Sequence, residues 1–538
     1  MARRDDTSAG DRLARTAHDA GALSSSRLGQ SMAWAPVIVV AVVVTVVLVV
    51  TSPWYGYYRD ELYFRLLADE PRWGYVDQPP LTPFLAKVGM WLFGDTITAL
   101  RVPAALCTAA TVILAALTAA ELGGTGRAQL LAAVATATGL FPLLVGHTLL
   151  TSSVDLVAWC ALWFLAARAL LRDPRWWLAT GAVFGLALAN KHLILILGAG
   201  ILVGLVTSWL ASAVARHRVG LAGAPRCPAP SATGNPGRGR AGRWLVAGAA
   251  LGILLGLPSL IYQASHGWPQ LRMAAALAEQ SVVPNRLLVV PGQLVLLGLP
   301  LVPVWLTGLV GLIRSTPWRP IRCLGIAHLA VVGIVVATDG RMDYAAATLV
   351  PLVAAGCVRL ESWSRTPRGA RLLGAALAVN AAVSTVVALP LLPADVARRT
   401  PLPTLNPVMR GSVGWWQFTS EVALAYRRLT PRERRNAIVL AHDFAQAGAL
   451  DRFGPSFDLP PVYSGHNELA RKRPPEWSST VLAVGVDPEV LRRVFDRCEV
   501  VGYVEEGDVS QLPRSPLTVC RGRRVSWRTA WPAFVHLQ

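Results

Sequence analysis

Three long apolar runs constrain this chain more than any other feature of its sequence. They read WAPVIVVAVVVTVVLVV (residues 34–50), LVAGAALGILLGLPSLIY (245–262) and LLGAALAVNAAVSTVVALPLL (372–392). Each approaches the roughly 20 apolar residues that cross the hydrocarbon core of a bilayer. Hydrophobic residues make up 53% of the 538 residues and charged residues only 15%, which argues against a soluble protein of this length. The chain is therefore predicted to be a polytopic membrane protein.

The placement of arginines predicts how the chain crosses the membrane. A net charge of +19 invites a nucleic-acid-binding interpretation, but the arginines gather in short loops and in the N-terminal tail, the positive-inside pattern of cytoplasmic segments. We predict a cytoplasmic tail at 1–33, a transmembrane domain at 34–393 with a cytoplasmic linker at 213–243, an extracytoplasmic C-terminus, and no nucleic-acid partner. About eleven spans are predicted, at 34–51, 99–120, 129–146, 153–171, 176–189, 193–212, 245–263, 288–312, 323–338, 345–358 and 372–393.

The composition changes near Ala394, which predicts a separate domain at residues 394–538. The segments NAIVLAHD, STVLAVGV and CEVVGYVEE are typical of buried strands, and PEVLRRVFDR is typical of a helix between them. The predicted fold is thus mainly α and polytopic, with a small extracytoplasmic α/β domain. Cys498 and Cys520 both fall in this polar domain, and in an oxidising outer compartment they could form a disulfide.

The first predicted outer loop, residues 52–98, is rich in acids. Its segment YYRDELYFRLLADEPRWGYVDQPP (57–80) contains Asp60, Glu61 and Asp77. DELYFRLLA and PLTPFLAKVGMWLF have helical amphipathic character, which favours helices along the membrane surface. Carboxylates at that boundary could act on a polar acceptor from water while touching a reactive group on a lipid. The alternative is a solvated loop whose acids pair with neighbouring arginines, namely Arg59, Arg65 and Arg72.

Three further charged residues fall on the same predicted side of the membrane as Asp60. Asp155 lies in TSSVDLVAW, Lys191 in ALANKHLILIL and Arg341 in DGRMDYAAATLVP. Ionisable groups at or inside a membrane are energetically costly and indicate a functional site by default. Each of them alone could instead be a snorkelling or paired loop charge. Their common side favours one shared outer site.

The acid pair after the first span, followed by WGYVDQPPL, resembles polyprenyl-phosphate-dependent glycosyltransferases of the GT-C fold. The similarity is to glycosyltransferase family 39, which includes protein O-mannosyltransferases and the aminoarabinose transferases of lipid A. It continues through DPRWWL…GLALANKH (173–192), HGWPQL (266–271) and AQAGALDRFG…SGHN (445–467). The resemblance therefore covers nearly the whole chain, including the C-terminal domain, and implies a multi-pass enzyme of the cell membrane that acts in the cell envelope.

The resemblance also implies roles for individual residues. Four acids match its catalytic or sugar-side positions, and four residues are assigned to donor-phosphate binding: Asp60, Glu61, Asp77 and Asp155, then Lys191, Arg341, Gln78 and Tyr344. One departure is Gln78, because relatives usually have Lys or His before the double proline. A neutral amide cannot offset a phosphate charge, so Lys191 and Arg341 are expected to provide most of that interaction.

The residue types fit a single inverting displacement. Asp60 could deprotonate an acceptor hydroxyl, while the cations neutralise charge that develops on the departing phosphate. The implied partners are a polyprenyl-phosphate-linked sugar donor, membrane lipids, and a lipid, protein or glycan acceptor with a hydroxyl or phosphate group. Asp60, Glu61 and Asp155 could alternatively gather a divalent metal ion. Two rival interpretations are a secondary transporter or lipid-linked sugar flippase, and an inactive relative that only binds glycans.

Overall fold

The computed structural model describes residues 30–221, 236–273, 284–504 and 514–537. Most of the predicted N-terminal tail and the centre of the predicted linker at 213–243 lie outside the described residues. The described part is mainly helical, with a five-stranded sheet near the C-terminus. The prediction of a mainly α polytopic protein with a small C-terminal α/β domain is confirmed.

Eight of the described helical segments are long and apolar enough to cross a membrane. They are Trp34–Thr51, Ile97–Glu121, Thr151–Leu171, Ile194–Ala211, Gly242–Ser265, Arg319–Ala337, Met342–Ser364 and Pro367–Ala388. Two bent pairs, Gly126–Ala137 with Leu140–His147 and Arg286–Val295 with Leu299–Arg314, bring the number to ten if each pair is one span. The second pair bends by 80°, next to Gly298, whose φ of 102° suits glycine because it has no Cβ.

One predicted span is too short to cross a bilayer. The run at 176–189 forms the helix Trp176–Leu188, which has 13 residues. At 1.5 Å per residue this helix is about 20 Å long, against roughly 30 Å of hydrocarbon. The helix ends where Ala189 and the polar residue Asn190 form a turn, and the next helix begins at Ile194. The expected eleven spans are therefore corrected to between eight and ten among the described residues.

This short helix packs very closely against the helix Pro236–Ser265. Gly181 and Gly185 on the short helix face Gly248 and Gly252 on the long one, and a Cβ added to Gly181 would overlap the carbonyl oxygen of Gly248. Small residues at such positions let two helix backbones approach each other within a membrane, where van der Waals packing stabilises the pair. The two helices therefore form one tightly packed pair.

Two helices occupy the first outer loop, at Arg59–Asp69 and Leu81–Phe93, where the amphipathic patterns predict helices. The first of them packs against the helix Phe444–Phe453 of the C-terminal domain. The contact is close, because a Cβ added to Gly448 would lie 2.8 Å from the Cβ of Leu62. The acid-rich loop and the C-terminal domain thus share a packed interface.

The C-terminal sheet has the strand order β2-β1-β3-β5-β4. Its strands are β1 Ala437–Ala441, β2 Val462–Ser464, β3 Thr480–Val484, β4 Phe495–Val504 and β5 Ser515–Arg523. β1 is parallel to β2 and β3, whereas β5 is antiparallel to β3 and β4. β1 and β3 are buried along their whole length, as expected for unbroken apolar strands in a sheet covered on both faces.

Helices flank this sheet and connect it to the membrane domain. The described α-helices after residue 390 are Ala394–Ala397, Leu402–Leu405, Pro407–Arg410, Trp415–Arg427, Pro431–Arg435, Phe444–Phe453, Pro488–Val494 and Trp527–Ala530. The helix predicted from PEVLRRVFDR ends early, at Val494, because its last residues pair with β5 as the start of β4. Cys498 and Cys520 are cross-strand partners in that pairing, and the structure joins them in a disulfide.

Candidate active site

Asp60 lies in the first turn of the helix Arg59–Asp69. Its side chain is 35% exposed, and the nearest cation, Arg59 Nε, is 3.5 Å from Oδ1, too far for a strong hydrogen bond. Burial by surrounding protein raises the pKa of Asp60, whereas Arg59, Arg341 and Lys191 lower it. A recess that is walled by protein but open to water explains why this carboxylate is both desolvated and accessible. Arg341 and Lys191 both lie within electrostatic range of it.

Glu61, predicted as the catalytic neighbour of Asp60, is instead part of the packed interior. Its side chain is 0% exposed, and Arg101 donates to both carboxylate oxygens, at 2.8 Å from Nε and 2.7 Å from Nη2. The backbone N–H groups of Tyr58 and Leu149 donate to it at 2.8 and 3.0 Å. Successive residues of a helix point about 100° apart, so Glu61 faces the interior while Asp60 faces the recess. The catalytic prediction for Glu61 is therefore corrected to a structural role.

Asp77 is the second acid of the loop that remains near the recess. Tyr63 donates a hydrogen bond from its hydroxyl to Asp77 Oδ1 at 2.9 Å. Burial raises the pKa of Asp77 to about 7, the Tyr63 hydrogen bond opposes this shift, and the nearby Glu468 and Asp60 carboxylates add to it. Asp77 can therefore exchange a proton near neutral pH, which suits a group that supports acid–base chemistry.

If the acid-rich loop were simply solvated, the neighbouring arginines would pair with its candidate catalytic acids. Arg65 pairs with Asp95 and Asp451, at 3.1 and 2.7 Å. Arg72 pairs with Glu70 at 2.9 Å, and only Arg59 approaches Asp60. In the described part of the chain, Asp77 has no arginine within ion-pair distance. Two of the three arginines thus pair with acids other than the candidate catalytic ones.

A small cavity brings together three of the predicted site residues. Asp155, Lys191 and Tyr344 line it together with Asp343, and Lys191 Nζ lies 5.2 Å from the centre of the Tyr344 ring. Asp155 itself is only 7% exposed. Among the described residues no carboxylate lies within 4.0 Å of Lys191. This ammonium group therefore retains donors for an anionic ligand, while the ring of Tyr344 holds its position.

Asn190 connects this cavity to the first outer loop and was not singled out by the sequence. Its side-chain amide donates to Asp155 Oδ1 at 3.0 Å and to the carbonyl of Thr151 at 2.8 Å. Its Oδ1 accepts from the Thr82 hydroxyl at 2.7 Å. Asn190 is 0% exposed, so this network is a fully desolvated one in which each bond is structurally important. The only signal in the sequence is its position beside Lys191.

Arg341 lies at the start of the 3₁₀ helix Met342–Thr348. Its Nε donates to Asp343 Oδ1 at 3.0 Å, and its side chain is 67% exposed. The negative charge of the nearby Asp343 carboxylate is the main influence that raises the pKa of Arg341 above its ordinary value. The other two guanidinium nitrogens can therefore face a ligand. Asp343, which lines the Lys191 cavity as well, is a second residue that the sequence reasoning missed.

Gln78 lies apart from that cavity. Its side chain is 8% exposed and its carbonyl accepts from Tyr75 N–H at 3.0 Å. Its Nε2 has no hydrogen-bond partner among the described residues. The structure thus places Gln78 in the turn beside Asp77 and does not bring it to Lys191 and Tyr344. A buried amide donor without a partner can still meet a ligand oxygen.

The predicted metal alternative does not match the arrangement of the acids. Glu61 is fully engaged with Arg101, so it does not join Asp60 and Asp155 in one ligand set. Across residues 30–221, 236–273, 284–504 and 514–537, no group of three or more His, Cys, Asp or Glu side chains is arranged to hold a metal ion.

Comparison with known proteins places this site in a family context. The profile of the family described as dolichyl-phosphate-mannose-protein mannosyltransferase matches residues 77–224, which include Asp77, Asp155 and Lys191. ArnT from Cupriavidus metallidurans in the apo state has 15% identity over 90% of this chain and 97% of its own, with a TM-score of 0.58. This chain has the GT-C glycosyltransferase fold.

Two further solved structures share this GT-C architecture. ArnT from Cupriavidus metallidurans bound to undecaprenyl phosphate gives a TM-score of 0.55 with 15% identity, over 90% of this chain and 97% of that one. The arabinofuranosyltransferase AftD from Mycobacteria gives 0.51 with 14% identity, over 92% of this chain but 40% of its own. Comparison with curated proteins by sequence found no match. The predicted resemblance to proteins of the GT-C fold and the multi-pass membrane character are confirmed.

Proposed function

We propose that this GT-C protein transfers a glycosyl unit from a polyprenyl-phosphate-linked donor to an acceptor hydroxyl on the extracytoplasmic face. The observation on which the proposal rests is the accessible Asp60 carboxylate within electrostatic range of Arg341 and Lys191. A base beside two phosphate-binding cations is the minimum that an inverting transfer requires. The solved ArnT structure with undecaprenyl phosphate supports a lipid phosphate as the donor's carrier.

The proposed reaction is one displacement. Asp60 takes the proton of the acceptor hydroxyl while that oxygen attacks the anomeric carbon of the donor sugar. The bond between the anomeric carbon and the phosphate oxygen breaks, and its electron pair leaves with the phosphate. Lys191 and Arg341 neutralise the developing charge on that phosphate, so no acid is needed to protonate it. The configuration at the anomeric carbon inverts, because no enzyme-bound intermediate forms.

The remaining acids have supporting roles in this proposal. Asp155, held by Asn190 in the cavity that Lys191 also lines, can accept from a sugar hydroxyl. Asp77, held by Tyr63, lies within electrostatic range of Asp60 and can hold a proton near neutral pH, because burial raises its pKa to about 7. Both roles depend on fixed orientation, which buried hydrogen bonds provide.

The orientation in the membrane is part of the same proposal. The N-terminus is placed in the cytoplasm and the C-terminal domain outside. The disulfide between Cys498 and Cys520 supports this placement, since disulfides persist in oxidising compartments and are rare in the cytosol. The helix Arg59–Asp69, which carries Asp60, packs against the C-terminal domain. The active-site recess then opens on the outer side.

The test is transfer in proteoliposomes from a panel of polyprenyl-phosphate-linked pentoses and hexoses. Asp60→Asn keeps the size of the side chain but cannot accept the proton, and we expect a loss of about 10²–10⁴ in rate. Asp395→Asn, at an exposed acid outside the recess, is the matched control and should turn over normally. A purified Asp60→Asn protein with near-normal turnover would exclude Asp60 as the base, and absence of transfer from every donor by the wild-type protein would reject the function.

A further inference from the structure

A second polar cavity lies where the helix Arg59–Asp69 meets the C-terminal domain. Its volume is about 330 Å³, within the range of small-molecule sites. We name it the interdomain cleft, and its polar lining includes Arg72, Tyr75, Tyr463, Glu468, Arg471 and Lys472. It shares no lining residue with the cavity around Lys191. Nothing in the proposed displacement uses these side chains.

Glu468 gives the interdomain cleft a buried carboxylate oxygen that is ion-paired but not hydrogen-bonded within the described residues. The residue is 5% exposed, and its Oε2 accepts from Val76 N–H at 2.9 Å. Its Oε1 is buried and has no hydrogen-bond partner among the described residues. The nearest cations, Arg471 Nε and Arg72 Nε, lie 3.4 and 3.8 Å away. These two arginines offset the charge of Oε1 without hydrogen-bonding to it, so the oxygen can still accept a hydrogen bond from a ligand hydroxyl.

The rest of the lining indicates which kind of ligand fits. Four acids and three cations line the cleft, so their charges nearly cancel: Asp69, Glu70, Asp451 and Glu468 against Arg72, Arg471 and Lys472. This balance does not select an anion or a cation. The half-buried ring of Tyr463 adds an apolar face among these donors and acceptors. Alternating polar groups and aromatic faces suit a neutral polyhydroxylated molecule, that is, a sugar residue.

The interdomain cleft is directly connected to the candidate active site. Glu468 N–H donates to the Tyr63 hydroxyl at 3.2 Å, and that hydroxyl donates to Asp77 Oδ1 at 2.9 Å. Glu468 also holds Val76, the residue before Asp77, through the bond to Oε2. A ligand on Glu468 would therefore lie beside the backbone that positions Asp77.

We propose that the interdomain cleft binds a sugar residue of the acceptor, next to the residue that is glycosylated. Binding a non-reacting part of the substrate in this way orients the reacting hydroxyl. The role of the bound sugar as part of the acceptor rests on the proposed function, but the binding itself does not require catalysis. Glu468 is in this view a substrate-binding residue contributed by the C-terminal domain to a reaction that occurs at the membrane domain.

The test measures saccharide binding without turnover. Full-length Asp60→Asn protein in nanodiscs is examined by saturation-transfer difference NMR with methyl glycosides of a mannose disaccharide and of an arabinofuranose disaccharide. We expect saturation transfer to at least one probe. Tyr463→Ala should weaken binding about 3- to 10-fold through loss of the aromatic face, and Glu468→Gln should weaken it similarly, since charged hydrogen bonds are the stronger ones. Tyr503→Ala removes an exposed tyrosine on β4 and should not change it.

The outcomes separate this proposal from the proposed function. Absence of saturation transfer to both probes, or equal binding by the wild-type, Tyr463→Ala and Glu468→Gln forms, would overturn the cleft assignment. In an active background, Tyr463→Ala should raise the acceptor KM while the donor KM stays unchanged. If Asp60→Asn retains transfer, the base assignment fails, yet a saccharide signal that depends on Tyr463 would still support the cleft.

Discussion

Glu61 is the residue for which the sequence and the structure make opposite predictions, and a single substitution tests them. A catalytic Glu61 would lose turnover and keep its stability when changed to Gln. A structural Glu61 would lose stability first. In the structure, four hydrogen bonds end on its carboxylate, two from Arg101 and one each from the N–H groups of Tyr58 and Leu149. Arg101 is itself 2% exposed, so it would remain as a buried cation without its counterion.

The magnitude follows from this arrangement. Removing one partner of a buried ion pair typically costs about 3–5 kcal/mol, because the remaining charge stays desolvated. Gln keeps one acceptor oxygen, but in either orientation its NH₂ group meets a donor of Arg101 and the N–H of Leu149 or Tyr58. We therefore expect Glu61→Gln to destabilise the protein by about 3–5 kcal/mol. Glu70→Gln, at an exposed acid whose pair with Arg72 lies at the surface, should change stability by less than about 1 kcal/mol.

The assay compares unfolding and turnover of purified proteins in the same nanodiscs. Thermal unfolding is followed for wild type, Glu61→Gln, Glu70→Gln and Asp60→Asn. The expected pattern is a lowered midpoint for Glu61→Gln alone, with residual turnover in its folded fraction at low temperature. A Glu61→Gln protein that unfolds at the wild-type midpoint and yet has no turnover would refute the structural assignment and return Glu61 to the catalytic group.

The other predictions concern the donor phosphate, pH and topology. Arg341→Ala and Lys191→Ala should each raise the donor KM or lower kcat strongly, whereas Gln78→Ala should do little. Gln78→Lys should partly rescue Lys191→Ala. Equal damage from Gln78→Ala and Arg341→Ala would contradict the assignment of phosphate binding to the two cations. Because burial raises the pKa of Asp60 and the base acts ionised, kcat/KM should fall with decreasing pH at a value above the ordinary 3.8. Arg341→Gln removes a cation that lowers this pKa, so the fall in kcat/KM at acidic pH should begin at a higher pH. An unchanged pH profile would argue against an electrostatic interaction between Arg341 and Asp60. A cysteine at Ser456 should react with impermeant thiol reagents in intact cells and one at Ser231 should not, and the reverse labelling would place the site on the cytoplasmic side.

The fold class was predictable because apolar runs and arginine placement act over whole segments. The bend near Gly298 and the early end of the helix at Leu188 were not, since both depend on a few residues between apolar runs. Edge strand β2 has only three residues and lacks a measurable alternation. The last residues of PEVLRRVFDR pair with β5, so tertiary pairing overrode a helical pattern.

The candidate site was predictable in its members and less so in their roles. Asp60 and Glu61 are adjacent carboxylates with the same chemistry, and what separates them is Arg101, forty positions away in the sequence. Asn190 and Glu468 act through contacts with distant segments, to Thr82 and Val76 respectively. Such partners leave no local spacing pattern, so only the folded structure identifies them.

The glycine contacts between the short helix Trp176–Leu188 and its long neighbour have a consequence for lipid dependence. A helix that spans the bilayer adapts to a thicker or thinner membrane by changing its tilt. The short helix does not span, so the contacts of Gly181 and Gly185 with the neighbouring helix set its depth. Asn190, which precedes Lys191, donates to Asp155, so Lys191 keeps its height relative to Asp155 when acyl chains are shortened or lengthened. A donor KM that is the same in bilayers of short and long acyl chains would express this independence from membrane thickness.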